Sequence, residues 1–555
     1  MKKKLLSIVL ATAMVLSVCA CGNDATNANG TSETQVVQNT TESNETVASA
    51  EPEEYVPTYP IVETPITVKA LVVGADTSVS STRKVWEDLS KITNVNFEWE
   101  FIDKDALSTY LASGDWPDLF MCELSQSVVN DYGVSGGKFV NYLDYIHLMP
   151  NLQKTFEDYP HTLATITQIN GEVYNLFKVQ GACATSASSR THYRVDVLEN
   201  AGIKEAPATV DEFYESLVTL KKYYGVPSFI HSVNYETDYN VNLFGAFGPL
   251  YQLEMADDGT GKVVFSRTTE QMKLYYQFLN KLYEEELMNR EYLTLDASTV
   301  LSMVREGNIA YFPAAAAVKL TATDLNDDWT NLGTLAPLVS EYDNTMTLLP
   351  SADCSSKMMY INAESEYIEE ICRALDVAYA TEEVVEGSNM YGANFTWGEE
   401  GVHWKDNGDG TYTEMTPEGY DGSKSSYMNK EYFWQNFGRA DALAGLITDT
   451  PSNSWARTQG YVTKTIPYDG ETRVNVSSMK LTEDEQYVID NKYGEIVNYY
   501  KQMEAEFISG AADIETKWDE YVSTIEKMGI NEVLKVYQTA YDRWNEALNA
   551  LSGDK

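Results

Sequence analysis

Ile66-Thr-Val-Lys-Ala-Leu-Val-Val73, Val95-Asn-Phe-Glu-Trp-Glu-Phe101 and Pro117-Asp-Leu-Phe-Met-Cys122 decide the fold. The first run is apolar and β-branched, and the second alternates apolar with polar residues, so both predict strands. The third is a short apolar run that reads the same way. Helical patterns over 80–92 and 105–112 separate them. Strand, helix, strand, helix, strand is the pattern of an open parallel sheet, which makes the chain α/β.

Downstream, Thr209-x-x-Glu212 and Thr268-x-x-Gln271 place capping boxes before FYESLVTLKKYY and MKLYYQFLNKLYEEEL. Val263-Val-Phe265, Ile309-Ala-Tyr-Phe312 and Met358-Met-Tyr-Ile361 read as short strands. Helices dominate after about residue 365. They end with Thr482-x-x-Glu485 opening a run to 508, then 513–528 and 531–548. No internal repeat is evident. A chain of 555 residues exceeds what one core sustains, so two domains, or three, are expected.

Upstream, residues 23–60 are Asn, Thr, Ser, Gln, Glu and Ala with almost no large apolar side chain, and they read as a flexible tether. Residues 1–22, MKKKLLSIVLATAMVLSVCACG, carry a lysine-rich start and an apolar stretch from Leu5 to Val18. That stretch is shorter than the roughly 20 residues of a spanning helix and suits an export signal. Val18-Cys-Ala-Cys21-Gly22 resembles the lipobox of bacterial lipoproteins. Cys21, preceded by Ala20 and followed by Gly-Asn, fits the lipidated position better than Cys19. The expectation is a protein tethered by lipid to the outer face of the cell membrane.

A formal net charge of −43 repels nucleic acid and anionic lipid. It also weighs mildly against polyanionic ligands, although a local basic pocket could override it. Cys122, Cys183, Cys354 and Cys372 show no paired spacing, so no disulfide framework is expected. The five histidines are scattered without HExxH or CxxC spacing, and no metal or cofactor is expected. Gly133-Val-Ser135-Gly-Gly137 matches the G-x-S-x-G pattern but lacks the strand that a nucleophile elbow needs, so it reads as a turn. Asp406-Asn-Gly-Asp-Gly410 lacks EF-hand offsets and, between His403-Trp404 and Thr411-Tyr-Thr413, reads as a hairpin turn. With 83 acidic residues some close carboxylate pair arises by chance, so glycoside hydrolysis cannot be argued from their number.

More telling are Trp397, Trp404, Trp434 and Trp455, with Tyr391 and Trp116, beside polar turns. An indole there can stack on the CH face of a sugar while nearby amides and carboxylates bond its hydroxyls. The alternative is that each ring staples its own loop to the body.

Several segments together resemble the extracellular solute-binding proteins of family 1, especially the LipO-like oligosaccharide-binding lipoproteins of Gram-positive bacteria. They are Leu111-Ala-Ser-Gly-Asp-Trp-Pro-Asp-Leu119, Asn141-Tyr-Leu-Asp-Tyr-Ile146 with Met149-Pro-Asn-Leu152, and Tyr193-Arg-Val-Asp-Val-Leu-Glu-Asn-Ala-Gly202 with Thr209-Val-Asp-Glu-Phe213. Lys281-Leu-Tyr-Glu-Glu-Glu-Leu287, Gly398-Glu-Glu-Gly-Val-His-Trp404 and the ending from Phe507 through Trp518 to Tyr541 continue the likeness in family order.

The resemblance implies a two-lobed, periplasmic-binding-protein-like (type II) fold with a hinge and a helix-rich C-terminal part. It places a signal peptide at 1–21, the tether at 22–60, lobe 1 at 61–183, lobe 2 at 184–305, a return to lobe 1 at 306–365, and at 366–555 a helix-rich part completing lobe 2 and the cleft. It implies a non-catalytic monomer that captures an oligosaccharide and delivers it to the transmembrane subunits of an ABC permease. A surface glycoside hydrolase and a carbohydrate-binding adhesin are the alternatives.

Many relatives carry an acidic calcium loop after the helix corresponding to 209–224. Lys221-Lys-Tyr-Tyr-Gly-Val-Pro227 has no such ligands, so that metal site is expected to be missing. The turn Asp115–Asp118 and the loop Cys122–Ser125 match where lobe-1 strands of the family open onto the cleft, and ligands of open α/β sheets sit beyond strand C-termini. The expected ligand-binding residues are Trp434, Trp397, Trp404, Trp116, Asp118, Glu123 and Tyr391. Arg194 and Asp196 are expected to pair as a brace near the hinge.

If Cys21 carries the lipid, Cys21→Ala abolishes labelling by an alkyne fatty acid and releases or misprocesses the protein. Label retained in that variant but lost in Cys19→Ala would move the site.

Overall fold

The computed structural model describes residues 55–74, 84–179, 190–231, 241–248, 251–256, 258–314, 332–336, 338–342, 354–408, 412–415, 438–439 and 476–552. Strands β1 (Ile66–Val73), β2 (Val95–Ile102) and β3 (Leu119–Met121) alternate with helices α1 (Lys84–Thr93) and α2 (Leu107–Ser113). β1 pairs in parallel with β2 on one side and β3 on the other, as the strand–helix alternation predicts. Val68, Ala70 and Val72 enter one apolar core while Leu71 enters another, so β1 is buried on both faces. That double burial explains why its sequence is nearly continuous in apolar residues. Trp86 of α1 seals one face edge-on against Phe97 and Trp99 of β2, at 4.8 and 5.0 Å between ring centroids.

The chain continues through α3 (Pro150–Asp158), α4 (Pro160–Ile166) and β4 (Leu176–Val179), still within the first lobe. It then forms a second lobe from β5 (Arg190–Arg194), α5 (Val195–Asn200), α6 (Val210–Tyr224), β6 (Leu253–Met255), β7 (Val263–Phe265), α7 (Glu270–Glu284), α8 (Ala297–Arg305), β8 (Tyr311–Ala314) and β9 (Leu332–Thr334). The capping box of α6 forms: Thr209 Oγ1 accepts from Glu212 N at 3.1 Å, and the Glu212 carboxylate accepts from Thr209 N at 3.3 Å. The expected box at Thr268 does not. Thr269 is the N-cap of α7, one residue later, because its hydroxyl reaches Met272 N. Arg194 and Asp196 pair as expected, and the guanidinium also donates to the carbonyls of Val304 and Arg305, tying β5 to the end of α8.

Strands β10 (Cys354–Met358) and β11 (Tyr360–Ile361) return to the first lobe, and β11 adds antiparallel to β3. α9 (Ile368–Asp376), α10 (Gly392–Trp397), the hairpin β12 (Trp404–Asp406) and β13 (Tyr412–Glu414), and β14 (Gly438–Arg439) follow. Ile371, Leu375, Met390 and Phe395 lie in the first core, so this lobe extends well past residue 365. Finally α11 (Glu483–Ser509) and α12 (Ile514–Lys527) pack on α7, α13 (Ile530–Ser552) packs on α11, α12 and β7, and together they complete the second core through Phe507, Trp518 and Tyr521. The described residues therefore change lobe three times, between 179 and 190, 342 and 354, and 439 and 476.

Both described free thiols, Cys122 and Cys372, are buried; Cys183 lies outside the described residues. Burial pushes the Cys122 thiol up to about 12, so it stays a small apolar filler at neutral pH. Gly133–Gly137 forms a helical turn with no strand before it, which leaves Ser135 without the strand-to-helix elbow of a nucleophile.

Asp376 at the end of α9 is fully buried. It accepts from the backbone N–H groups of Asn151 at 3.3 Å and Leu152 at 2.8 Å and from the Asn151 amide at 2.8 Å, completing the first turn of α3. Burial outweighs these bonds and raises its carboxyl from 3.8 to about 7. A pKa raised by folding adds stability that is complete below about pH 4 and is lost as pH climbs towards about 7. Urea midpoints of the native protein should therefore fall relative to those of Asp376→Asn across that window and run parallel outside it. An advantage of the native protein that grows with pH would overturn the assignment.

Candidate functional site between the lobes

Parallel pairing aligns the C-terminal ends of β1, β2 and β3, with Val72 opposite Met121 and Val73 opposite Ile102. Beyond these ends lie Gly74, the turn Asp103–Ala106 and the loop Cys122–Ser125. Gly74, Asp103, Lys104, Asp105 and Ala106 line an open depression of about 620 Å³. Gly74 has φ +72, and a Cβ there would come within 2.8 Å of the Lys104 side chain.

The loop after β3 alternates: Cys122 and Leu124 are buried, whereas Glu123 and Ser125 are exposed. Leu124 packs with Cys122 and with Tyr360 of β11 in one apolar cluster. Next along, Gln126 donates to Asn130 at 2.9 Å and to Gln168 at 2.8 Å. Its carbonyl oxygen accepts from Lys480 Nζ at 2.7 Å, joining this loop to the second lobe just before α11. Lys480 is held in turn, since its carbonyl accepts from Arg543, which pairs with Glu485 at 2.9 Å. Glu123 thus stands three residues from a direct polar contact between the lobes. A second contact lies where α13 crosses α4.

Asp118 and Trp116 lie at the other end of β3, away from the strand C-termini, which corrects the expectation that turn 115–118 opens onto the same cleft as loop 122–125. Both Asp118 oxygens are occupied, one by Lys69 N at 2.8 Å and the other by Ser365 Oγ at 2.6 Å. Trp116 donates to the Leu111 carbonyl at 3.0 Å, stacks on Phe139 at 5.5 Å and meets Phe120 and Tyr132 edge-on. These contacts brace the lobe.

Tyr391, Trp397, Trp404 and Tyr412 gather around α10 and the β12–β13 hairpin, which forms where the Asp406–Gly410 turn places it. Trp404 is 3% exposed and donates its N–H to Gly398, so its ring fills the centre of this cluster. Tyr391 and Trp397 are half-buried and packed against it. Burial, with Glu400 and Glu383 nearby, pushes the Tyr391 phenol up to about 12, so it remains a hydroxyl donor at neutral pH. Glu399, two residues past Trp397, pairs with Lys84 at the start of α1. Phe395 packs on Trp86, so α10 stands against α1 with Trp397 near its first turn. Trp434 and Trp455 lie outside the described residues.

Sequence reading missed Gln126 and Lys480, because neither residue type nor spacing marks a contact made across 354 positions. It also missed Lys178, whose signal was a lone charge in the apolar run Leu176–Val179. The stretch at 221–227 holds no carboxylate: Gly225 ends α6 with φ +76, and Lys221 donates to the Glu285 carbonyl. Among the described residues no cluster of three His, Cys, Asp or Glu could hold a metal, and no helix is long and apolar enough to cross a membrane.

No protein-family model matches the chain. The fructooligosaccharide ABC transporter substrate-binding protein FusA of Streptococcus pneumoniae is 22% identical over 493 residues, which span 84% of this chain and 88% of FusA. The solved structure of FusA with kestose has a TM-score of 0.62 at 20% identity, covering 87% of this chain and 100% of that one. An HMO-binding, ABC-transporter-associated solute-binding protein of Bifidobacterium longum infantis has a TM-score of 0.66 at 16% identity, covering 87% and 99%. Lipoprotein LipO of Bacillus subtilis is 25% identical over 206 residues, 35% of this chain and 38% of LipO. The likeness is therefore to solute-binding proteins broadly rather than to LipO in particular. The structural matches show the fold, a type II periplasmic-binding-protein-like α/β architecture.

Gly398 tests how tightly the aromatic cluster is built. It has φ +82, and a Cβ there would meet the His403 ring at 2.6 Å, whereas Gly401, at φ +78, has open space around it. Gly398→Ala should cost about 2–4 kcal/mol and Gly401→Ala about 1 kcal/mol in urea unfolding. Equal costs would show that the ring yields freely.

Proposed function

We propose that this chain is a lipid-anchored extracellular solute-binding protein that captures an oligosaccharide between its lobes and hands it to the membrane subunits of an ABC transporter. The observation that carries the reading is the architecture: two separately cored α/β lobes, joined by three passages of chain and touching through the loop beside Glu123. Proteins of this fold whose names record oligosaccharide binding support the ligand class. Residues 1–54, with the lipobox-like Cys21, lie outside the described residues, and the anchor rests on their sequence alone.

Within this reading Trp397 and Tyr391 supply stacking faces and a hydroxyl, Glu123 accepts from sugar hydroxyls, and Trp434 contributes from its own segment. Trp404 fills the centre of the platform, while Trp116 and Asp118 brace the first lobe elsewhere. Ligand bound by both lobes favours the closed arrangement, because only there are both sets of contacts made. The hydrolase alternative needs an acid of raised pKa at the sugar. Of the carboxyls raised among the described residues, that of Asp376 is sealed in the first core and cannot meet a sugar, and that of the exposed Asp144 accepts from the Asn141 amide.

Calorimetry of the mature protein against a panel of defined oligosaccharides tests the proposal. Trp397→Ala should cost about 1–3 kcal/mol, roughly tenfold to a hundredfold in Kd, through loss of buried apolar area. Unchanged affinity in Trp397→Ala, Tyr391→Ala and Trp434→Ala variants that stay folded would remove the stacking platform. Sugar consumed during titration would establish an enzyme instead.

A further inference from the structure

Strands β10, β4 and β14 form a small sheet whose members border the three passages between lobes. Val179 pairs with Cys354 and Arg439, the last row before the chain leaves, and Lys178 pairs with Ser355 and Gly438 in the row behind it. Lys178 is thus central in the sheet at the base of the interlobe junction, with a glycine and a serine beside it. α10 follows Tyr391 and packs on β14, which brings the aromatic cluster to the same sheet.

The other residues of β4 are fully buried. Phe177 lies under Phe156 and Tyr379, and the Tyr379 hydroxyl is bonded to its backbone on both sides. Lys178 is half-buried, and burial alone lowers its ammonium pKa. Among the described residues it has neither a salt bridge nor a hydrogen-bond acceptor. Its neighbour shows the usual solution: Arg439 pairs with Asp158 at 3.1 Å, bonds Thr155 and lies over the Tyr159 ring. A desolvated ammonium that finds no counter-charge among the described residues is costly in a chain of 83 acidic against 40 basic residues.

We propose that Lys178 receives a negatively charged substituent of the ligand, so that the bound oligosaccharide is acidic, carrying a carboxylate or a sulfate or phosphate ester. This rests on the reading that the junction binds an oligosaccharide. The net charge of −43 opposes such a ligand only at long range, because salt screens exposed charges beyond about 8 Å, whereas a contact inside the junction is screened far less.

The test titrates the mature protein with matched pairs: trigalacturonate and its methyl ester, 3′-sialyllactose and lactose, 6-sulfolactose and lactose. The expected result is that the acidic member of at least one pair binds at least tenfold more tightly and that its affinity falls with added salt. The carboxylate and sulfate arms identify the charged group. Lys178→Met, with Lys178→Gln as a second variant, should reduce the acid-to-neutral ratio tenfold or more while the melting temperature holds or rises. Equal binding of acidic and neutral partners overturns the charge assignment and leaves oligosaccharide binding standing. A melting temperature lowered by several degrees with the ratio intact means that the ammonium is paired inside the protein, and overturns it too. Absence of binding to every sugar tried overturns the proposed function and this inference together.

Discussion

One chain fills two lobes, each built around its own large apolar core, and the rest of the architecture follows from that constraint. Each core draws on segments far apart in sequence: β1–β4 with β10, β11, α9 and α10 in one, and β5–β9 with α11–α13 in the other. The chain must therefore cross between them more than once. The strands at the crossings pair with one another, and β10, β4 and β14 form a sheet from three distant segments.

Among the described residues the lobes meet through the Gln126–Lys480 bond and where α13 crosses α4. The Gln126–Lys480 bond can exchange with water at small net cost, as a junction that opens and closes requires. Its anchors differ in stiffness. Gln126 is fixed by Gln168 and Asn130 within the first lobe, while Lys480 is held through its backbone by Arg543, itself paired with Glu485 at the start of α11. A ligand that adds contacts to both sides shifts the balance by the difference in its affinity for the two arrangements.

Buried charge is the second organising theme. Arg194 meets Asp196 and two carbonyls, Arg439 meets Asp158, and Asp376 meets the amides at the head of α3. In each case a group taken out of water recovers partners from the fold, and the element that carries it is fixed in position. Lys178, with no such partner among the described residues, departs from that pattern in the sheet where the lobes meet.

The sequence by itself determined the local structure. β1 and β2 form where apolar content and alternation place them, the boxes at Thr209 and Thr482 cap their helices, and β12 pairs antiparallel with β13. These features depend on neighbours within a few residues, which a sequence displays directly. It misplaced the cap of α7 by one residue because Thr268 and Thr269 offer the same hydroxyl, and backbone geometry chose between them. Only the tertiary structure decided what each aromatic packs against: Trp116 and Trp397 look alike in sequence and are both half-buried, yet one lies among Phe120, Tyr132 and Phe139 and the other in the small cluster around Trp404. It likewise decided that Asp118 and Glu123, five residues apart, serve opposite ends of one short strand, and that Gln126 meets Lys480. Such pairings are set by how separate segments pack, and residue type and spacing carry no record of that.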